Sequence, residues 1–391
     1  MNFRIYLLAI VSFVVGMAEL IVGGILDIVA GGLEISLSKA GELITIYSLV
    51  FAIASPVLLT LTAKVERKKL LLVTLVLFFF GNLVAFFAPN YWVIFLSRII
   101  SAASGSLLVV LCVTIASSIV KEEFRARAIG IIFMGISGSL VLGVPIGLVI
   151  GNQFGWRSPF LFIAALTLVS MAGVYFMLNK IQPKPMVSLG EQLRTLKNSK
   201  ILFAQLASAL FLTGHLTLYA YLTPFLQSAL NLNSTWISIF YFIFGVSAVI
   251  GGGLGGFMAD KWGSKRSILT IIIVFGVALI SLPKAAFSIT LFVILMMIWS
   301  MLSWAISPAQ QNYLIETSPE TADIQQSLNN SALHLGIALG SVIGGVVINH
   351  YSVMHNAAVG GIFVFLSLLC AIYSITRGQV KSTSREAQEI I

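Results

Sequence analysis

Residues 5–27 read IYLLAIVSFVVGMAELIVGGILD, with Glu19 and Asp27 as the sole charges. A helix needs about 20 apolar residues to cross the hydrocarbon core of a bilayer. This stretch meets that length. The same template fits eleven more times, over about 42–62, 70–89, 92–119, 128–150, 159–179, 201–227, 234–258, 267–284, 287–315, 326–349 and 356–376. The expected fold is therefore an all-α membrane protein of twelve transmembrane helices. The first apolar run lacks a small-residue cleavage site and reads as a retained helix rather than a leader.

Composition agrees. Of the 391 residues 58% are hydrophobic and 9% charged, against roughly a quarter charged in a soluble domain. A soluble fold has to present much of its surface to water and could not hide so much apolar area. The net charge of +9 sits between the apolar runs, so it reads as topology and not as a nucleic-acid surface. Cys112 and Cys370 both fall inside apolar runs, with no disulfide framework or metal spacing.

The longest polar connection, 180–200, divides the chain into two sets of six spans. The expected domains are a first bundle at 1–180, a linker at 181–200, a second bundle at 201–378 and a tail at 379–391. With the N-terminus placed inside, nineteen bases fall on inside segments. They are Arg4; Lys64, Arg67, Lys68 and Lys69; Lys121, Arg125 and Arg127; Lys180, Lys184, Arg194, Lys197 and Lys200; Lys261, Lys265 and Arg266; and Arg377, Lys381 and Arg385. Outside segments carry only Lys39, Arg157 and Lys284. That bias orients the chain with both termini cytoplasmic. The loop 316–325 runs against it, with Glu316, Glu320 and Asp323 and no base. Two six-span halves with short basic loops at matching places suit a repeat architecture, with a substrate site between the halves near the bilayer midplane.

Ionisable groups inside a membrane are costly and mark function. Glu19 is the acid placed well inside a span. Asp27 follows eight residues later, about 12 Å along a continuous helix, near the outer end. Arg98 enters span four from the outside, at a depth similar to Glu19. We expect Glu19, Arg98 and Asp27 to form the proton-coupling set, with Glu19 linked to Arg98; a structural ion pair is the bland alternative. His215 and His334 fall in spans seven and eleven, where a histidine can titrate, bind substrate or only hydrogen-bond a neighbour. GHLTLYAYLTPF (214–225) and IWSMLSWAISPAQQNYL (298–314) supply Tyr219, Tyr221, Trp299, Trp304, Gln310, Gln311 and Asn312. Aromatic faces beside amides suit a flat, neutral, hydrogen-bonding ligand. QQSLNNSALHLGIALGSVIGG (325–345) adds Asn329 and Asn330 beside His334. The expected substrate contacts are His215, Tyr219, Tyr221, Trp304, Gln310, Gln311, Asn330 and His334. Interfacial aromatics and helix-packing amides are the alternative for these positions.

Three strings carry a resemblance. GGFMADKWGSKR (255–266) resembles the cytoplasmic loop signature of the major facilitator superfamily, with Gly256, Asp260, Gly263 and Arg266 as its elements. Gly256 is expected to let two helices approach, and Asp260 to cap a helix end and pair with a base. The first-half counterpart, LTAKVERKK (61–69), has Lys64 where an acid is usual, and Glu66 stands ready to replace it. GISGSLVLGVPIGLVIG (135–151), followed by Gly155, Trp156 and Arg157, resembles the antiporter motif of exporters in that superfamily, through Gly143, Pro145 and Gly147. Ser97, Arg98 and Gly105 match its span-four arginine pattern.

Longer strings are similar to one subgroup: AELIVGGIL (18–26), LTAKVERKKL (61–70), RARAIGIIFMG (125–135), GHLTLYAYL (214–222), SPAQQNYLIE (307–316) and SALHLGIALGSVIGGVV (331–347) together resemble bacterial purine base and nucleoside efflux pumps of the twelve-span drug/proton antiporter group. Asp27, where proline is usual, and His334 depart from that pattern. The resemblance implies proton-driven export of purine-like molecules from a bacterial inner or plasma membrane. Its partners would be a small-molecule substrate, protons and lipid, in a monomer with no cofactor. A broad exporter of cationic or lipophilic drugs is the alternative. No hydrolase elbow, phosphate loop or metal cluster suggests an enzyme.

Overall fold

The computed structural model describes residues 3–121, 125–182 and 189–377. Among the described residues twelve helices are long and apolar enough to cross a membrane. In order they are Phe3–Gly24, Leu37–Leu61, Arg67–Phe86, Tyr91–Ser118, Ala128–Phe154, Ser158–Met177, Ser199–Tyr219, Ser234–Trp262, Ser264–Ser281, Ile289–Thr317, Ile324–His350 and Val353–Thr376. We number them spans one to twelve. Large apolar side chains such as Phe80, Val169, Phe176 and Val277 remain exposed around the bundle, where lipid takes the place of water. The expected tail at 379–391 and Lys184, Lys381 and Arg385 lie outside the described residues, as do the side chains of Arg125 and Arg127.

The two halves repeat each other. Span one packs on four, five and six, span three on four and six, and span two on four. Six spans later the same pattern returns: seven on eleven and twelve, nine on ten and twelve, eight on ten. The halves meet along two seams, span two on span eleven and span five on span eight. With twelve spans, both ends of the chain fall on one side of the bundle, called here the termini face.

Span one is shorter than the sequence suggests. It stops at Gly24, and a separate short helix, Leu26–Leu33, carries Asp27. Ile25 between them has φ −100° and ψ 18°. Glu19 and Asp27 therefore do not share one straight helix, which corrects the expected 12 Å relation. Span seven breaks at the equivalent place, between Tyr219 and Leu222, before the helix Leu222–Leu230. Pro224 explains that break, because its missing N–H cannot serve the Ala220 carbonyl. Span five contains a π-helical turn, Ser139–Gly143, just before Pro145, the kind of bulge that marks working positions in helices.

Small residues set the closest approaches. A Cβ at Gly135 would collide with the Ala9 carbonyl, and one at Gly147 with Ile21, so span five lies directly on span one. Gly143 sits on Met17 at 3.1–3.2 Å by the same measure. On the seam, a Cβ at Gly245 would come within 2.7 Å of the Leu140 carbonyl and Val141, so span eight rests on the π turn of span five. Within the second half Gly251 and Gly255 abut the carbonyls of Met301 and Ala305. Gly256 has open space. The close approach expected of Gly256 thus belongs to its neighbour Gly255, one residue round the helix on the packed side.

Glu66 does replace the missing acid of the first-half loop, as a cap. Its carboxylate accepts from the N–H groups of Lys68 (2.8 Å), Lys69 (2.9 Å) and Ile181 (2.8 Å). The start of span three is thereby tied to the chain leaving span six. Partial burial works to raise this carboxyl's pKa, but the three N–H donors and Lys180 outweigh it and hold it below the usual range. A lowered pKa adds stability above the ordinary carboxylate range, and that stability is lost as the pH falls through the folded value.

Two predictions follow from these contacts. Gly251→Leu is expected to lower the detergent melting temperature through overpacking worth about 1–3 kcal/mol, while Gly256→Ala leaves it unchanged. Glu66→Gln is expected to melt below wild type at neutral pH, with the gap closing as the pH drops below about 4; a thermal-shift series across pH reads both.

Candidate functional site

Span one brings Glu19 to the line where the halves meet. Its Oε1 lies 3.6 Å from Nδ1 of His334 on span eleven, in the other half. That separation exceeds a hydrogen bond. Both side chains are mostly buried, with 17% of Glu19 and 10% of His334 exposed. The imidazole is fixed by stacking on Phe51 of span two, with ring centroids 4.0 Å apart and planes 24° apart.

Arg98 takes a different partner set from the expected one. Its Nη1 donates to the Ala18 carbonyl at 2.7 Å and its Nε to the Leu43 carbonyl at 3.5 Å. Its guanidinium lies 4.0 Å from the centre of the Tyr47 ring. No Glu19–Arg98 ion pair forms among the described residues. Arg98 instead pins spans one, two and four together, one residue away from Glu19, and its charge still acts on that carboxylate. The base in reach of Glu19 is His334.

The far side of the same seam, away from the termini, is closed by hydrogen bonds between halves. The break in span one leaves the carbonyls of Gly23 and Gly24 without the usual partners four residues on. Tyr241 donates to the first at 3.2 Å and Thr223 to the second at 2.9 Å. Gln227 donates to Asp27 Oδ2 at 2.9 Å. Ser341 donates to the Gly41 carbonyl at 2.9 Å across the halves, and Tyr221, of the same half as Ser341, backs it by donating to the Ser341 carbonyl at 2.9 Å. On the termini side of His334, Ser331 donates to the Ala52 carbonyl at 3.0 Å. Glu19 and His334 thus lie within the line of contacts between the halves, with hydrogen bonds on both sides of them.

The expected substrate residues divide. His215 is buried within the second half, its ring 5.2 Å from Tyr219, 5.1 Å from Trp299 and 5.7 Å from Phe275. Tyr219 joins this cluster and lies within electrostatic reach of Glu19. Tyr221 is a seam residue and not part of the cluster. Gln310 donates to the Ala204 carbonyl at 2.8 Å, and Asn329 to Gln205 (3.0 Å) and Ser208 (2.8 Å), so both tie helices together. Trp304, Gln311 and Asn330 are half-buried and hydrogen-bond to no described residue. Six buried polar atoms around the two groups have no hydrogen-bond partner: Tyr47 Oη, Arg98 Nη2, His215 Nδ1, Tyr219 Oη, Trp299 Nε1 and His334 Nδ1.

In the 255–266 loop, Gly263 has φ +78°, a conformation that favours glycine. Asp260 and Arg266 are exposed and bond to no described residue, so the expected pairing of Asp260 is not formed. Asn312 instead ties that loop, through Ser264 (2.8 Å) and Glu316 (3.1 Å).

The sequence matches the Major Facilitator Superfamily over residues 8–341. The chain belongs to this superfamily. It is 36% identical over 371 residues to an uncharacterized MFS-type transporter, YbcL, of Bacillus subtilis (strain 168), covering 95% of each chain. It is 30% identical over 350 residues to the inner membrane transport protein YdhP of Escherichia coli (strain K12), covering 89% of each. Among solved structures it resembles a bacterial homolog of the human lysosomal transporter Spinster in an inward-facing, occupied conformation. The TM-score is 0.78 at 14% identity, covering 95% of this chain and 96% of that one. The protein is a multi-pass membrane transporter with the superfamily fold.

Sequence reading missed Phe51, Thr223, Gln227, Tyr241 and Ser341 as seam residues of this transporter, and Tyr47 as the ring beneath Arg98. For all but Phe51, polar groups inside apolar spans were the available signal, but only folding shows what they face. If the hydroxyl–carbonyl bonds hold the seam, Thr223→Val combined with Tyr241→Phe will loosen it. The expected readout is faster labelling by a membrane-impermeant thiol reagent of a cysteine placed at Ser38, which faces Gly345 of span eleven, compared with the same cysteine in the parent.

Proposed function

We propose that the protein is a proton-coupled antiporter that exports purine bases, nucleosides or close analogues by alternating access, with both termini in the cytoplasm of a bacterial cell. The observation that carries this reading is the position of Glu19. A carboxylate deep in a membrane bundle is retained at a cost, and this one sits on the line where the halves separate. Rocking of the halves would expose it to one side and then the other, as coupled exchange requires.

The substrate reading rests on the resemblance of the quoted strings and on chemistry beside Glu19. Tyr219, Trp299 and His215 offer rings, and the unpartnered polar atoms on Tyr47, Tyr219 and Trp299 offer hydrogen bonds. A planar, neutral heterocycle with polar edges matches both. Outward direction is supported by Gly143, Pro145 and Gly147, which set span five between span one and the seam. The drug-exporter alternative would use Asp27 to recognise a cation, and Gln227 already occupies that carboxylate.

In proteoliposomes, a pH gradient is expected to drive movement of labelled hypoxanthine. Glu19→Gln is expected to insert normally and to lose the gradient-driven component, leaving it at the level of empty vesicles. Gradient-driven transport at wild-type rate in that variant would overturn the coupling role of Glu19.

A further inference from the structure

We propose that His334 is the second half of the proton site, and that one proton shared between Glu19 and His334 clasps the two halves in the arrangement seen here. The proposal rests on the proton-coupled reading above and adds a residue and a direction to it.

The geometry is specific. Glu19 and His334 belong to different halves, so a bond between them exists only while the seam is shut. Their 3.6 Å separation is a few tenths of an ångström outside hydrogen-bond range. Stacking on Phe51 holds the imidazole plane, and Nδ1 has no hydrogen-bond partner. No other described residue hydrogen-bonds the Glu19 carboxylate: Arg98 gives Nη1 and Nε to Ala18 and Leu43 and lies over the Tyr47 ring, and the Tyr219 ring packs in the aromatic cluster of span seven, although Arg98 Nη2 and the Tyr47 and Tyr219 hydroxyls are unpartnered. Asp27, on the neighbouring short helix, is bonded to Gln227.

The proton count then fixes the direction. Without a proton, the pair is a carboxylate facing a neutral ring, which can donate from Nδ1 but brings no opposite charge. With one proton, either the imidazolium donates to the carboxylate or the carboxylic acid donates to Nδ1. Both forms carry the same total charge; the imidazolium form adds opposite charges to the hydrogen bond and is the stronger. Proton binding therefore favours the closed seam, and proton loss releases it. By linkage, opening the seam lowers the affinity of the site for the proton. A carrier loaded with a proton while the seam is open would close it, and would discharge the proton on the termini side before reopening.

Spin labels report this without any substrate. Cys112 and Cys370 are the two native cysteines and are replaced by serine. Labels are placed at Gln153→Cys and Thr235→Cys, exposed positions on either side of the five–eight seam, on the side away from the termini. Double electron–electron resonance of the full chain in nanodiscs from pH 5 to pH 9 gives the ratio of short to long distances. The short-distance population is expected to rise about tenfold on acidification. Glu19→Gln is expected to abolish that dependence. His334→Phe keeps a ring on Phe51 but no nitrogen, and is expected to hold the long distance at all pH values. His334→Gln, a neutral donor at every pH, is expected to keep a pH-independent short-distance population above that of His334→Phe. That ordering would not arise from mere loss of packing. A pH-independent parent, a pH dependence that survives Glu19→Gln, or a short-distance population in His334→Gln no greater than in His334→Phe would overturn the clasp. Failure of hypoxanthine transport with the distance titration intact would instead remove the substrate reading and leave the clasp standing.

Discussion

Inside a bilayer no water answers a free backbone carbonyl or a stray side-chain charge, so each polar group must find its partner within the protein. Much of the bundle obeys this through ordinary helix hydrogen bonds. The exceptions lie on the seam. Span one gives up its ladder at Gly23 and Gly24, and the freed carbonyls are met by Thr223 and Tyr241 from the other half. A helix break that would be costly in an isolated bundle becomes the means by which two bundles hold one another. The same demand explains why Arg98 reaches for backbone carbonyls and a ring face.

Apolar contacts between lipid-immersed helices gain little from excluding water, because lipid is as apolar as the side chains. Packing must come from fit. The glycines at 135, 143 and 147 let span five lie on span one, and Gly245 lets span eight lie on the π turn of span five. The motif that resembles an exporter signature is therefore a packing device first. It joins the helix bearing Glu19, through span five, to a seam between the halves. Movement at either seam is mechanically close to the deep carboxylate.

The closed stretch and the Glu19–His334 pair belong to one line. From Asp27 and Gln227 inward through Gly41 and Ser341, the contacts are neutral or singly charged and individually modest, near 1 kcal/mol each for neutral hydrogen bonds. A handful of such bonds can be tipped by one additional charge-assisted bond among them. This is the balance expected of a transporter, whose two arrangements have to remain close in free energy.

The amino-acid sequence alone determined the membrane setting, the twelve spans and the division into halves. Those features are additive: apolar length is counted residue by residue, and lipid imposes one required length. It also singled out Glu19, because a charge in an apolar run stands alone in one dimension as it does in three. It could not choose that carboxylate's partner. Arg98 and His334 both lie at suitable depth, 79 and 315 residues along the chain from Glu19, and depth says nothing of which way a side chain faces. Helix rotation and the meeting of the halves decided it: they turned Arg98 onto the Ala18 carbonyl, brought His334 across the seam, drew His215 into an aromatic cluster and moved the close glycine contact from Gly256 to Gly255. Such choices depend on angles about helix axes, and these are fixed by packing that no single span contains.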